Sequence, residues 1–254
     1  MPLRGFCLGL LLLALPLALK AQTDEIQVYD ASIAPVGKFN LTLHNNYIAD
    51  GLQTPAFPGA VVPDHSWNGT AEWAYGAKAW LELGLYLPLY SVSQHRGATI
   101  NGAKLRFLFV SPHAAQRKFF YGMNFEFSYN ASWWDRRRAT SEIRPIVGVH
   151  LGRVDLIYNP ILDNSYTGGP LGLDFAPCGR IAYHFSSRWA LAAEEYDDFG
   201  TLRHPLAAGQ QFHQLWSVVD FSSKLVDIET GIGFGLNAAT DPVTLKLMFS
   251  RDLN

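Results

Sequence analysis

A two-residue rhythm that returns about twelve times constrains the fold of this chain more than any other feature. In residues 118–130 one face reads Phe119, Tyr121, Met123, Phe125, Phe127 and Tyr129. The other reads Phe120, Gly122, Asn124, Glu126, Ser128 and Asn130. Period two means a strand, here with one greasy and one largely polar face. A soluble sandwich also alternates. In this chain, however, the apolar faces are long, aromatic at their ends, and repeated on nearly every strand. For an exported chain the simplest fold is all-β: a transmembrane, antiparallel, up-and-down barrel of about 12 strands in a bacterial outer membrane, with 10 or 14 strands as alternatives.

Export is predicted from the first residues. Arg4 gives a positive start, and Leu8 to Leu19 is an apolar run too short to span a bilayer comfortably. Residues 1–21 therefore read as a signal peptide, leaving Gln22 first and residues 22–254 as one barrel domain. A retained membrane helix is the alternative. Cys7 leaves with the signal, and Cys178 then has no disulfide partner within the chain. A barrel closed by its own hydrogen bonds needs none. Lys plus Arg number 20 and Asp plus Glu 22; without Arg4 and Lys20 the balance is 18 against 22, a net charge of −4. That argues against a nucleic-acid partner. No later apolar run reaches transmembrane-helix length, and no linker or composition break divides the chain.

The alternation predicts strands at 38–47, 70–77, 80–90, 99–110, 118–130, 141–151, 154–160, 171–185, 189–198, 211–221, 226–236 and 243–251. Their connections tend to alternate in length. The predicted short ones are 78–79, 152–153, 186–188 and 222–225, with 111–117 intermediate; the longer ones are 48–69, 91–98, 131–140, 161–170, 199–210 and 237–242. Short turns on one side and long loops on the other match outer-membrane topology, with the short turns periplasmic. Leu81, Leu83, Leu85, Leu87 and Leu89 form one predicted lipid-facing stripe; Leu245, Leu247 and Phe249 form another. The strand from Gln211 is ambiguous, since either face puts something awkward in lipid. Trp80 and Trp189 beside short turns, and Trp133 and Trp134 opening a long loop, read as interfacial anchors.

The candidate functional residues are the inward ionisable ones: Glu72, Glu82, Lys104, Arg106, Glu126, Glu142, Arg144, Asp155, Asp174, Arg180, Asp227, Glu229 and Lys246. They fit a polar conduit whose charges select a solute, and equally an ion-paired network filling the lumen. A 12-strand barrel lies between small filled barrels and open porins, so geometry alone does not choose.

Other motifs weigh less. Gly231, Gly233 and Gly235 imitate a nucleotide loop, but no helix pattern follows; on the lumen face they make room for a bulky neighbour or solute. Arg136, Arg137 and Arg138 form the dense basic run, read as a solvated loop or a grip on lipopolysaccharide phosphates. His44, His150 and His184 read as satisfied or solvated rather than metal-binding. Residues 194–198 read as a solvated acidic rim with a weaker case for a divalent cation. Asn40, Asn68 and Asn130 match glycosylation sequons, by chance in a bacterium. No nucleophile motif of a lipase is present, so no enzyme and no cofactor is expected. The expected partners are outer-membrane lipid and lipopolysaccharide, the barrel-assembly machinery and small solutes.

The stretch Glu25-Ile26-Gln27-Val28-Tyr29-Asp30, followed by residues 37–47, resembles the start of a group of uncharacterised proteobacterial outer-membrane barrels. Residues 80–88 and Glu194-Glu195-Tyr196 fit the same group. The group is similar to outer-membrane transporters linked to phenol-degradation pathways. The resemblance spans most of the mature chain. It implies a barrel and a channel for small organic compounds, and carries over no functional residue.

Overall fold

Strand pairing runs around the molecule and closes on itself. A computed structural model describes residues 24–166, 169 and 172–253; the predicted signal peptide lies outside them. The strands are β1 (Phe39–Asp50), β2 (Trp67–Lys78), β3 (Leu81–Ser93), β4 (Gly97–Val110), β5 (Phe119–Asn130) and β6 (Ala139–Leu151). Next come β7, in two segments (Val154–Asn159 and Leu162–Asn164), and β8, also in two (Asp174–Phe175 and Cys178–His184). The last four are β9 (Trp189–Asp198), β10 (Phe212–Ser222), β11 (Asp227–Gly235) and β12 (Val243–Leu253). Each pairs antiparallel with the next, and β1 pairs with β12 from Phe39↔Leu253 onward. This is a closed 12-strand up-and-down barrel.

Pro160 and Pro177 explain the two broken strands. Proline cannot donate to the ladder, so pairing lapses beside each and resumes beyond. Both segments of β7 still lie against β6, as in Val149↔Leu156 and Glu142↔Asp163. The predicted loop at 161–170 therefore contains the second half of β7. The predicted long loop at 91–98 is a tight tip of residues 94–96, because β3 and β4 run on past their apolar bands into polar sequence.

The outward faces carry the lipid band. Leu83, Leu85, Leu87, Leu105, Phe107 and Phe127 are exposed, a costly surface in water and a favourable one in hydrocarbon. Leu89 departs from its predicted stripe. The β3 register shifts after Tyr86, and Leu89 turns inward to full burial. Aromatic pairs mark the rims: Trp80 stacks 6.0 Å from Phe109 and Trp189 lies 4.6 Å from Phe221 at the short-turn end, while Tyr47 and Trp67 are 6.1 Å apart at the other. These are the belts expected at a membrane interface. Band, belts and closure place the barrel in the bacterial outer membrane. Trp133 and Trp134 do not join a belt: Trp134 is buried and Trp133 donates to Asn101 Oδ1 at 3.2 Å. Asn68 and Asn130 are buried too, as no glycan acceptor could be.

The ambiguous β10 resolves through its neighbour. Trp216 faces the lumen at 1% exposure, and Gly233 on β11 lies opposite it, where a Cβ would collide with the indole. The lumen glycine makes room for a bulky neighbour, as its position on the strand predicts.

Candidate functional site

Residues 24–35 are not a tail. They enter the barrel at its short-turn end, where Lys38 N–H donates to the Pro35 carbonyl at 2.9 Å, and climb the lumen as a strap. The climb is held by side chains from across the wall. Ala34 N–H donates to Glu82 at 2.5 Å. Tyr29 N–H donates to Asn159 Oδ1 at 2.7 Å, and Asn159 Nδ2 returns a bond to the Tyr29 carbonyl at 3.0 Å. Arg144 reaches the Gln27 carbonyl at 3.1 Å, Lys246 the Ile26 carbonyl at 3.4 Å, and Asn46 the Asp24 carbonyl at 3.1 Å. An extended segment inside a barrel has a full set of unpaired backbone groups, and polar lumen side chains satisfy several of them.

Apolar packing reinforces these bonds. Val28, Tyr29 and Ala31 are buried with Leu108, Val110, Phe120, Ile146 and Ile157, so the short-turn half of the lumen is a small hydrophobic core around the strap. Ile26 packs on Trp216 and Val218 higher up. Gly148 supports this core, since a Cβ there would meet the Phe120 ring.

Three ionic groups surround the strap. In the first, Arg106 bonds Glu82 and stands 2.6 Å from Glu72, which takes His44 Nε2 at 2.9 Å. The Tyr29 hydroxyl enters this group, 2.6 Å from Tyr86 Oη and 3.1 Å from both Glu126 and Arg106. In the second, Arg180 bonds Glu194, Asp220 and Glu229, while Lys246 lies 2.5 Å from Glu194 and 2.6 Å from Glu229. In the third, Lys104 lies 2.9 Å from Asp24 and 3.7 Å from Glu126, and Arg144 lies 2.6 Å from Glu142. Arg137, from the loop after β5, lies 3.2 Å from Asp174. Burial works against its charge, but Asp135 and Asp174 hold its guanidinium above the usual range.

The structure thus brings Glu72, Glu82, Lys104, Arg106, Glu126, Glu142, Arg144, Asp174, Arg180, Glu229 and Lys246 around one lumen. Two predicted residues stand apart. Asp155 binds His150 at 2.6 Å and His184 at 2.7 Å near the short turns. Asp227 is exposed and takes the Ser223 N–H at 3.3 Å, capping a turn. Residues 194–198 are not one rim: Glu194 is an internal ion-pair residue and Asp197 pairs with His213 at 2.5 Å. The basic run also divides, with Arg137 turned into the lumen while Arg136 stacks over Phe57 and Arg138 over Tyr129.

Sequence reasoning missed the strap residues Asp24, Glu25 and Tyr29, and their partner Asn159. The available signal was Ile26, Val28 and Tyr29, an apolar cluster just before the first strand and too short to be a strand of the wall.

Above the strap, toward the long loops, lies a chamber of about 240 Å³. Asp24, Glu25, Lys104 and Arg144 form its floor side, and Trp134, Arg137 and Phe212 come from the loop end. The lumen therefore has two storeys: a packed lower one filled by the strap and a polar vestibule above it.

Cys178 reports on the lower storey. It is 2% exposed, packs with Val28 and Tyr29, and its thiol reaches Asn159 Oδ1 at 3.8 Å. N-ethylmaleimide should leave Cys178 unmodified in the folded chain and label it once residues 24–34 are deleted. Rapid labelling of the intact chain would show that the strap is not seated there.

No model of a known family matches this chain, and no curated protein is similar to it. Solved structures are. The COG4313 outer membrane channel from Pseudomonas putida F1 superposes with a TM-score of 0.60 at 14% identity, over 90% of this chain and all of that one. The NanC porin gives 0.54 at 8% identity over 83% and 97% of the two chains. The KdgM porin, in complex with disordered oligogalacturonate, gives 0.53 at 10% identity over 85% and 99%. At these identities the likeness is one of fold: the outer-membrane barrel.

Proposed function

We propose that this protein is a passive outer-membrane channel for small organic solutes, closed in the conformation described by its own N-terminal strap. One observation carries the reading. The lower lumen is blocked by a segment joined to the wall only through noncovalent contacts and its hinge at residues 35–38, while the vestibule above remains a polar cavity. A barrel whose wall residues filled the lumen would have no such removable part. The solved barrels of like fold are channels and porins, which supports the same class. The resemblance to transporters linked to phenol-degradation pathways supports small organic solutes over sugars.

A second reading has its own support. The strap is bound at many points and packs a hydrophobic core, as a permanent plug in a structural or surface-interaction barrel would be. Conductance of the full chain in planar bilayers separates the two. Brief discrete openings are expected of the channel. A folded barrel, verified by heat-modifiable migration in a detergent gel, that stays silent across many insertions supports the plug.

A further inference from the structure

From the vestibule we infer a binding site for a small organic cation, an aromatic or alkyl ammonium; the inference deepens the channel reading and rests on it for its biological meaning. Eight carboxylates and three cationic side chains line the chamber. Four carboxylates stand in directly opposed register across neighbouring strands: Glu126 on β5 faces Glu142 on β6, which faces Asp163 on β7, which faces Asp174 on β8. Like charges directly opposite one another destabilise a sheet. Three of the row are offset by a nearby cation: Glu126 by Lys104, Glu142 by Arg144 and Asp174 by Arg137. The Asp163 carboxylate has neither a hydrogen bond nor an ion pair among the described residues, and the residue borders the chamber.

A second observation points the same way. Glu25 lines the chamber from the strap at 7% exposure, and neither of its carboxylate oxygens accepts a hydrogen bond among the described residues. Its nearest cation, Arg144, stands at 3.7 Å and is engaged at 2.6 Å with Glu142. Two under-satisfied carboxyl groups thus share one cavity, and an ammonium placed between them would favour their charged, accepting forms. Aromatic side chains complete the chemistry. Trp134, Tyr196 and Phe212 line the same space and suit a cation with an apolar body. The volume of about 240 Å³ is many times what one water needs and admits a benzylammonium-sized guest. No three metal-ligating side chains converge among the described residues, which favours an organic cation over a bare divalent ion.

The test is titration calorimetry on the detergent-folded full chain with benzylammonium, benzyl alcohol and benzoate at neutral pH. Saturable binding of benzylammonium alone is expected, weakened about tenfold by Asp163→Asn and restored by Asp163→Glu. Absence of saturable binding, equal binding of benzoate, or an unchanged affinity in a folded Asp163→Asn variant overturns the inference. If Asp163→Asn does not fold, Trp134→Leu serves in its place; an unchanged preference for the cation over benzyl alcohol then counts against the site. Bilayer recordings keep the two claims apart. Binding without current removes the channel reading and leaves the cation site, whereas current without cation binding does the reverse.

Discussion

Deleting residues 24–34 should turn a nearly silent barrel into a steadily conducting one. The strap makes at least five hydrogen bonds between its backbone and lumen side chains, each worth about 1 kcal/mol net, and additionally buries Val28, Tyr29 and Ala31. Ordering a segment against the wall costs conformational entropy that offsets much of this. If about 3 kcal/mol remains, the unseated state is populated roughly 1% of the time, and removing the strap should raise the time-averaged current roughly a hundredfold. Tyr29→Phe is the graded version. It removes the hydroxyl shared by Tyr86, Glu126 and Arg106, and a loss of about 1 kcal/mol should raise the open fraction about fivefold. Both are read in planar bilayers. A deletion variant that folds, labels at Cys178 and still passes no current would mean that the barrel is not a conduit.

The barrel itself was legible because lipid and lumen impose opposite demands on alternate residues. All twelve predicted strands correspond to strands in the wall, and most outward faces read correctly. The errors have local causes. Leu89 turned inward because a register shift after Tyr86 swaps the faces, and a period-two pattern carries no mark of such a shift. Trp133 and Trp134 folded inward because loop 131–138 packs over the mouth, where Val61 N–H donates to the Trp133 carbonyl at 3.1 Å. The ionic residues of the lumen were recoverable as a set, but their pairing was not. Pairing depends on register between strands far apart in sequence, as between Arg180 and Asp220. The strap was the largest omission. Its residues have no periodicity, and its partners are scattered from Asn46 to Lys246.

The strap also changes what a charge does inside the barrel, and a pair of substitutions on β5 shows how. Phe125 faces lipid near the middle of the strand, 6.0 Å from Phe109. Phe125→Arg should cost roughly 2–4 kcal/mol of folding free energy, as cationic side chains at the bilayer midplane do. A polar lumen would tolerate Asn124→Arg on the opposite face. The lumen here is not an open polar space. Asn124 is fully buried, donates to Glu126 at 2.8 Å and lies opposite Arg144. An arginine there overpacks the site, typically by about 1–3 kcal/mol, and sets one guanidinium against another. Both variants should therefore lose stability by similar amounts in denaturant titrations of the folded barrel. They should part company once residues 24–34 are removed. Glu126 loses Tyr29, the lower lumen empties, and water can solvate the new charge, so Asn124→Arg should become mild while Phe125→Arg stays costly. That coupling is a double-mutant cycle between the strap and the wall. Additive losses at Asn124 would mean that the strap does not pack against this part of the lumen. An unchanged Phe125→Arg stability in the intact chain would mean that this face of β5 does not meet hydrocarbon.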